Sequence, residues 1–329
     1  MVLKYFIYVN SPLSPHFVHY EWAKSIGCEP LKIPINPFLQ FKYLKNFEKI
    51  IKKDYYNSND KEILVIVESL YALPFIYKLK KLYKGKLKII SIIADTSFYP
   101  PKLSAIRKIY FKIFRLKEFI DYYIVVSNTI RDWMIKRSNI NESKIYVVRP
   151  FSLLDIKKRE IVKKERNNTI TFIGNYTKIK AAERVLKLAL MLRDFNFYII
   201  GSVCRVINKK RKSNNVYCTY NISWNELKSI LLKSIIYLHP FEFDPFPVAV
   251  IDAMRCGNYP LVYFYVGASE ILHEQNILKT LETEKWLNRI IDIKDSISKK
   301  DFLKYYKLSL EYTKEKSIKK FKNTINKII

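Results

Sequence analysis

The chain has 329 residues, 49% of them hydrophobic, which is enough for two domains of ordinary size, each with its own core. It carries 59 Lys+Arg against 30 Asp+Glu, net +29, with no run of eighteen apolar residues to cross a bilayer; the N-terminal MVLKYFIYVNS is too short for a signal peptide and lacks a cleavage site, so a soluble, cytosolic protein is expected. Its six glycines form neither a G-x-G-x-x-G fingerprint nor a P-loop.

In chain order, LKYFIYV (3–9), EILVIVES (62–69), KLKIISIIAD (86–95), DYYIVVS (121–127) and KIYVVRP (144–150) are short runs rich in Ile, Val and Tyr that read as strands. Amphipathic stretches at 41–53 and 102–119 separate some of them and read as helices. Residues 152–167 are charged and strand-free, a linker. The alternation restarts with TITFIG (169–174) and continues through NFYIIGS, NVYCTY, IIYLHP and YPLVYFY. Strands alternating with helices, twice over, predict two doubly wound parallel sheets, α/β in class. From Lys300 onward the chain reads as Lys-dense helices. Cys28, Cys204, Cys218 and Cys256 lie far apart with no C-x-x-C pair, so buried thiols are expected rather than zinc ligands or disulfides.

The most informative segment is HPFEFDPFPVAVIDAMRCGNYPLVYFYVGASE, 239–270. Asp244 is expected in a loop at the C-terminal end of a strand. Pro247 is expected at the first helical position, Asp252 facing out of the helix that follows, and Gly257 as its stop. In open α/β sheets ligands bind at such strand ends. A helix N-terminus there suits a phosphate, and carboxylates accept hydrogen bonds from sugar hydroxyls. Charge distribution supports a site: from Ser234 through Leu278 the only Lys or Arg is Arg255, where a proportional share would be about eight. Glu242, Asp244, Asp252, Glu270 and Glu274 collect in the same stretch. Upstream, ITFIGNYTKIKAAERVLKLALML sets Gly174 at a strand end and Lys180 near a helix start, where its ammonium can neutralise a diphosphate.

Taken together these segments resemble the retaining GT-B glycosyltransferases of family four, a fold of two Rossmann-like domains facing a cleft. FIGNYTKIKA is similar to the family's strand–Gly–Arg, loop, Lys–Gly opening, with Gly174, Asn175 and Lys180, and Ala181 where glycine is usual. DPFPVAVIDAM resembles the E-x7-E motif, Asp244 and Asp252 taking the two acids, Phe246 the motif phenylalanine and Pro247 a glycine position. VGASE corresponds to Gly-Gly-x-x-Glu, with Gly267 and Glu270. The resemblance implies an N-terminal acceptor-side domain (1–160), a C-terminal nucleotide-sugar domain (161–310) and a C-terminal helix (311–329) crossing back.

It also implies roles. Asp244 would hold hydroxyls of the transferred sugar and act with Lys180, which would bind the diphosphate as the catalytic pair. Asp252 would grip the ribose, and Gly174 and Asn175 would border the phosphates. Backbone at Phe246, Pro247 and Val248 and at Gly267, Ala268 and Ser269, with Glu270, would cradle the donor, Pro247 offering no N–H. Neither metal nor cofactor is implied, since lysine and helix termini supply the charge stabilisation. The pattern also departs from the family where Asp replaces both motif acids, Asn175 replaces an arginine, and NSPLSPHFVHYEW replaces a glycine-rich acceptor loop. On the acceptor side His16, His19, Asp95 and Ser97 are the candidates, the last two where relatives carry a histidine.

Basic residues at 41–53 and 102–117 alternate with apolar ones and suit an anionic membrane surface presenting a lipid-linked acceptor, at the inner face of the membrane. A Lys-rich composition with solvated charges explains them equally well, and nucleic acid is the weaker rival partner. The expected activity is metal-independent, retaining hexosyl transfer from a nucleotide sugar to a glycan or lipid-linked acceptor. The alternatives are a catalytically silent sugar-nucleotide or glycan-binding protein of the same fold and, lower, a glucosyltransferase acting on nucleic acid.

Overall fold

The computed structural model of the chain describes residues 2–10, 15–36, 39–40, 43–47, 49–50, 62–68, 70–83, 85–95, 119–163, 166–175, 179–207 and 213–329. Two compact units result: residues 1–149 with 317–329, and residues 150–316.

The first unit is built on a six-stranded parallel sheet, β1 (Leu3–Val9), β2 (Glu29–Ile33), β3 (Ile63–Val67), β4 (Leu87–Ile93), β5 (Tyr122–Val125) and β6 (Ile145–Val147), in the order β2-β1-β3-β4-β5-β6. Helices α1 (Phe17–Ser25), α2 (Leu73–Leu82) and α3 (Asn128–Ser138) flank it. All five residues of β3 are buried, as an unbroken apolar run requires of a strand covered on both faces. Strand β2 was not foreseen. Its EPLKI carries two charges and a proline, and four of its five residues keep some exposure; it is an edge strand paired only with β1, where neither a period-2 pattern nor a buried run is needed. Helix α3 begins at Ser127, whose hydroxyl accepts the Ile130 N–H, and ends on Asn139 in the left-handed region, φ 48°.

The second unit repeats the plan with β7 (Thr169–Ile173), β8 (Asn196–Ile200), β9 (Val216–Thr219), β10 (Ile236–His239), β11 (Tyr259–Tyr263) and β12 (Ile277–Leu278), all parallel, in the order β12-β11-β10-β7-β8-β9. In chain order its helices are α4 (Lys158–Lys163), α5 (Ile179–Met191), α6 (Cys204–Ile207), α7 (Trp224–Lys233), α8 (Val248–Arg255), α9 (Thr283–Ser296) and α10 (Lys299–Ser309). A last helix, α11 (Lys314–Ile328), clusters with the first unit from Ser317 on, where Ser317 Oγ accepts from Trp22 Nε1 at 2.9 Å and Phe321 stacks on Trp22.

Two expectations about this unit need correction. The stretch 152–167 is strand-free but is no bare linker: it forms α4, and Arg166 lies over the Phe302 ring and donates to the Ser234 and Cys256 carbonyls. Its charges signalled solvent; a stacked and hydrogen-bonded guanidinium instead covers a helix end. The cysteines are not all thiols either. Cys204 and Cys218 form a disulfide, Cα atoms 5.7 Å apart, because β8 and β9 are neighbours and bring together residues fourteen positions apart in sequence. Cys28 and Cys256 remain thiols.

Candidate functional site

The second sheet reverses its strand order between β7 and β10, which lie side by side with Ile236 opposite Ile170. Outside the carboxyl ends of such a pair the two following connections diverge and leave a crevice. The chain places its motifs there. Gly174 and Asn175 leave β7, the segment from Pro240 to Pro247 leaves β10, and Gly267 to Glu270 follow the turn after β11.

Gly174 sits in a tight backbone crossing. Its N–H donates to Ile200 O at 2.9 Å, and Gly201, at φ 111°, lies so close that a Cβ there would stand 2.3 Å from Gly174 O. Gly201 is therefore part of the site's frame, a residue that sequence reasoning passed over although glycine at a strand end is its signal. Gly201→Ala is expected to cost at least ~2 kcal/mol of stability, read from a denaturant midpoint. Gly27→Ala is the control: φ is similarly positive at 75°, yet no atom lies within 4 Å of the added carbon, so the variant carries backbone strain alone.

Asp244 is 8% exposed. Its carbonyl accepts the Gly267 N–H at 2.8 Å, and Asp244 and Val266 form an isolated parallel bridge, so the acidic loop and the VGASE segment lie side by side. Its carboxylate Oδ2 stands 3.2 Å from Nε2 of His239, which is fully buried at the end of β10. Gly267 and Ala268 are buried and open a short 3-10 turn through Ile271. Ser269 Oγ donates to the Phe264 carbonyl at 3.0 Å, holding the exposed Phe264 and Tyr265 turn against it.

Helix α8 starts one residue later than expected. Pro247 is its N-cap, with ψ 115°, and Val248 the first helical residue; the extended ψ of a capping residue is compatible with the proline ring, and Val250 N–H donates back to Pro247 O at 3.1 Å, so the helix opens with the N–H groups of Val248 and Ala249. The helix stops where foreseen. Gly257, φ 80°, donates to Met254 O and Asn258 N to Ala253 O, the two bonds of a Schellman ending.

Asp252 does not face out. It is 4% exposed, and one carboxylate oxygen accepts from Ser152 Oγ and from the Leu153 N–H, each at 2.7 Å. Burial raises its pKa to about 6 against these hydrogen bonds, which lower it. The eight-residue helix presents its buried face at this position, flanked by Ile251 and Ala253, and an acid can lie inside because Ser152 and Leu153 satisfy it.

Lys180 is exposed in the first turn of α5. One turn further, Arg184 pairs with Glu242 at 2.9 Å and donates to Pro240 O at 3.2 Å, clamping the start of the acidic loop to α5. Neither Arg184 nor Glu242 was singled out as a functional side chain in the sequence, because ion pairs between distant segments leave no spacing signal. Phe246 is buried and Val248 half-buried, while Ser269 and Glu270 keep partial exposure.

In the first unit the sheet reverses order between β1 and β3, and His16 and His19 lie there, ring centroids 4.9 Å apart. Glu68, the residue after β3, joins them: Oε1 accepts the His16 N–H at 2.6 Å and stands 2.8 Å from His19 Nδ1. This carboxylate was overlooked in EILVIVES, though an acid one place beyond a wholly buried strand is a recognisable signal. Asp95 is exposed beyond the end of β4, apart from that cluster in sequence; Ser97 lies outside the described residues. So do all the basic positions at 102–117 and several at 41–53, whereas Lys45 and Lys49 are exposed on helical turns. Among the described residues no three His, Cys, Asp or Glu side chains are grouped to hold a metal, and no helix is long and apolar enough to cross a membrane.

Residues 155–309 match the family model described as glycosyl transferases group 1. That match covers most of the second unit, residues 150–316. Solved structures similar to the whole chain share the fold. A glycosyltransferase from Rickettsia africae is 16% identical, with TM-score 0.72, over 99% of this chain and 98% of its own. HepE from Anabaena, in complex with UDP, is 12% identical with TM-score 0.73 over 99% and 100%. Sucrose-phosphate synthase from Thermosynechococcus elongatus is 12% identical with TM-score 0.72 over 92% and 83%. No curated protein matches the chain significantly. The fold is GT-B, two Rossmann-like units, and the unit that the family model matches is the one that carries Asp244 and Lys180.

Proposed function

We propose that this GT-B protein is a retaining, metal-independent hexosyltransferase that moves a sugar from a nucleoside diphosphate to a hydroxyl of a glycan or lipid-linked acceptor. The observation that carries the reading is the pairing of Asp244 with Val266 and Gly267 beside the β7–β10 order reversal, which gathers the acidic loop and the VGASE turn at one strand end. Asp244 there accepts hydrogen bonds from hydroxyls of the transferred sugar. The N–H groups of Val248 and Ala249 at the start of α8 and of Ala268, together with Lys180, take the diphosphate, with Gly174 and Asn175 lining it. UDP is the first nucleotide to test, since HepE has been solved with UDP and with UDP-glucose.

In this reading the bond from the anomeric carbon to the leaving phosphate oxygen breaks as the acceptor oxygen bonds to the same face, and the phosphate takes the acceptor proton. The protein supplies charge stabilisation and position rather than a nucleophile. The candidate acceptor contacts His16, His19 and Asp95 belong to the first unit, and the net charge of +29 favours an acceptor held at an anionic membrane. Family resemblance would put Asp252 on the ribose. Its bonds to Ser152 and Leu153 favour another assignment, a pin for the segment that enters the domain.

Thermal shifts with UDP, GDP, UDP-glucose and GDP-mannose, in buffer containing chelator, test the reading on the native protein and on Lys180→Ala. One nucleotide pair is expected to stabilise the native protein, by about 2.7 kcal/mol at a hundred times its Kd, and the variant much less. No shift with any of the four overturns donor binding. Stabilisation without hydrolysis or transfer would instead support a catalytically silent binding protein, which the engagement of Asp252 by its own chain favours.

A further inference from the structure

His239 is a polar ring at the C-terminal end of a strand whose four residues are all buried, and a fully buried imidazole is costly unless partnered. Two partners lie in line. The Tyr237 hydroxyl, two residues back on the same face of β10, stands 3.4 Å from Nδ1, a long contact, and Asp244 Oδ2 stands 3.2 Å from Nε2. An Asp244 carboxylate only accepts, so the nitrogen facing it, Nε2, carries the ring hydrogen, and in the neutral imidazole Nδ1 then accepts from the Tyr237 hydroxyl. Phe241 packs edge-on against the same imidazole, 6.4 Å between centroids, and limits its rotation. The main chain of Asp244 is held independently by Gly267 at 2.8 Å.

We propose that His239 is a positioning residue for donor-sugar recognition, its buried Nε2–H fixing one carboxylate oxygen of Asp244 and so setting the orientation in which that acid meets the sugar hydroxyls. The inference rests on the nucleotide-sugar reading above and adds a specificity determinant to it. A carboxylate on a loop has two rotatable bonds, and every orientation other than the productive one is entropy lost on binding. An imidazole locked in a strand removes that freedom before the sugar arrives. The nucleotide itself makes no use of the arrangement, so sugar recognition and nucleotide recognition are expected to separate.

The test uses the full chain with His239→Phe, which keeps a ring and loses the donor, and His239→Gln, whose amide restores one. UDP and UDP-glucose, or GDP and GDP-mannose if the thermal shifts select them, are titrated by calorimetry, and turnover of the same sugar nucleotide is resolved into kcat and KM. For His239→Phe the nucleotide Kd is expected to stay within about 2-fold of native while kcat/KM for the sugar nucleotide falls about 10- to 100-fold. His239→Gln is expected to recover most of that loss. Equal loss toward nucleotide and sugar nucleotide, no loss toward either, or no recovery by Gln would each overturn the proposal. Should His239→Phe fail to fold by circular dichroism, Tyr237→Phe replaces it: releasing Nδ1 is expected to weaken turnover about 3-fold with nucleotide binding kept, and an unchanged kcat/KM overturns the proposal. Failure of the native protein to bind any nucleotide or sugar nucleotide would sink the underlying reading and this one with it, whereas native binding with unaffected His239 variants would sink this one alone.

Discussion

Replacing Asp244 with alanine is expected to lower kcat/KM for sugar transfer by about 10²-fold or more while the nucleotide Kd stays near native. A carboxylate accepting from two sugar hydroxyls makes charge-assisted hydrogen bonds worth roughly 1.5–3 kcal/mol each, and little of that is available to a donor lacking the sugar. Asp244→Asn isolates charge from shape. The amide oxygen still accepts, so if ground-state hydrogen bonding dominates, Asn retains much of the activity; if the carboxylate opposes positive charge developing on the sugar ring, Asn falls as far as Ala. The loop should survive both changes, because Asp244 is held to Gly267 and Val266 through its backbone, and Arg184 clamps Glu242 two residues earlier. Loss of nucleotide affinity equal to the loss of turnover would place Asp244 on the nucleotide instead.

The second large effect concerns stability against pH. Asp252 has a folded pKa raised to about 6 from 3.8, with burial as the leading cause. Between those values the native state holds the proton more tightly than the unfolded chain, so stability falls as pH rises through the window. The full difference is on the order of 2–3 kcal/mol, present below about pH 4 and gone above about pH 6. Glu160 and Glu315, whose pKa values are lowered chiefly by backbone hydrogen bonds, work in the opposite sense, gaining stability as pH rises toward their unfolded values and keeping it above them. Comparing native protein with Asp252→Asn cancels them. The amide oxygen still accepts from Ser152 and Leu153, while the charged form is gone. Relative to native, the variant is therefore expected to gain stability from pH 4 to pH 7, as followed by thermal unfolding. A difference independent of pH would mean that Asp252 lies in water, and loss of nucleotide binding alongside it would return Asp252 to the ribose.

Much of the fold was legible because parallel strands covered on both faces must be apolar throughout. Runs such as ILVIV and TITFI announce themselves, and ten of the twelve strands among the described residues sit within segments read from the sequence. EPLKI and the two-residue β12 did not, since an edge or a very short strand needs no such run. Asp244, Gly174 and Gly257 could be placed by turn chemistry and helix-stop signals, which act over a few residues. Asp252 could not: its spacing from Asp244 was visible, but its direction depended on Ser152 and Leu153, a hundred residues earlier. The Cys204–Cys218 bond was hidden for a similar reason, because only the β8–β9 pairing makes fourteen positions a short distance.

By itself the sequence determined the class, two βα series, and singled out the segment proposed to carry the chemistry. Those are local properties: period, propensity, turn residues and the exclusion of Lys and Arg from 234–278 apart from Arg255. Tertiary structure alone decided that both acids are buried, Asp244 against His239 and Asp252 against Ser152 and Leu153, that Gly201 must stay small against Gly174, and that Glu68 joins His16 and His19. Each is a contact between segments distant in sequence. Whether a polar group faces ligand or interior depends on which partners reach it, and the order of strands in the sheet sets those partners.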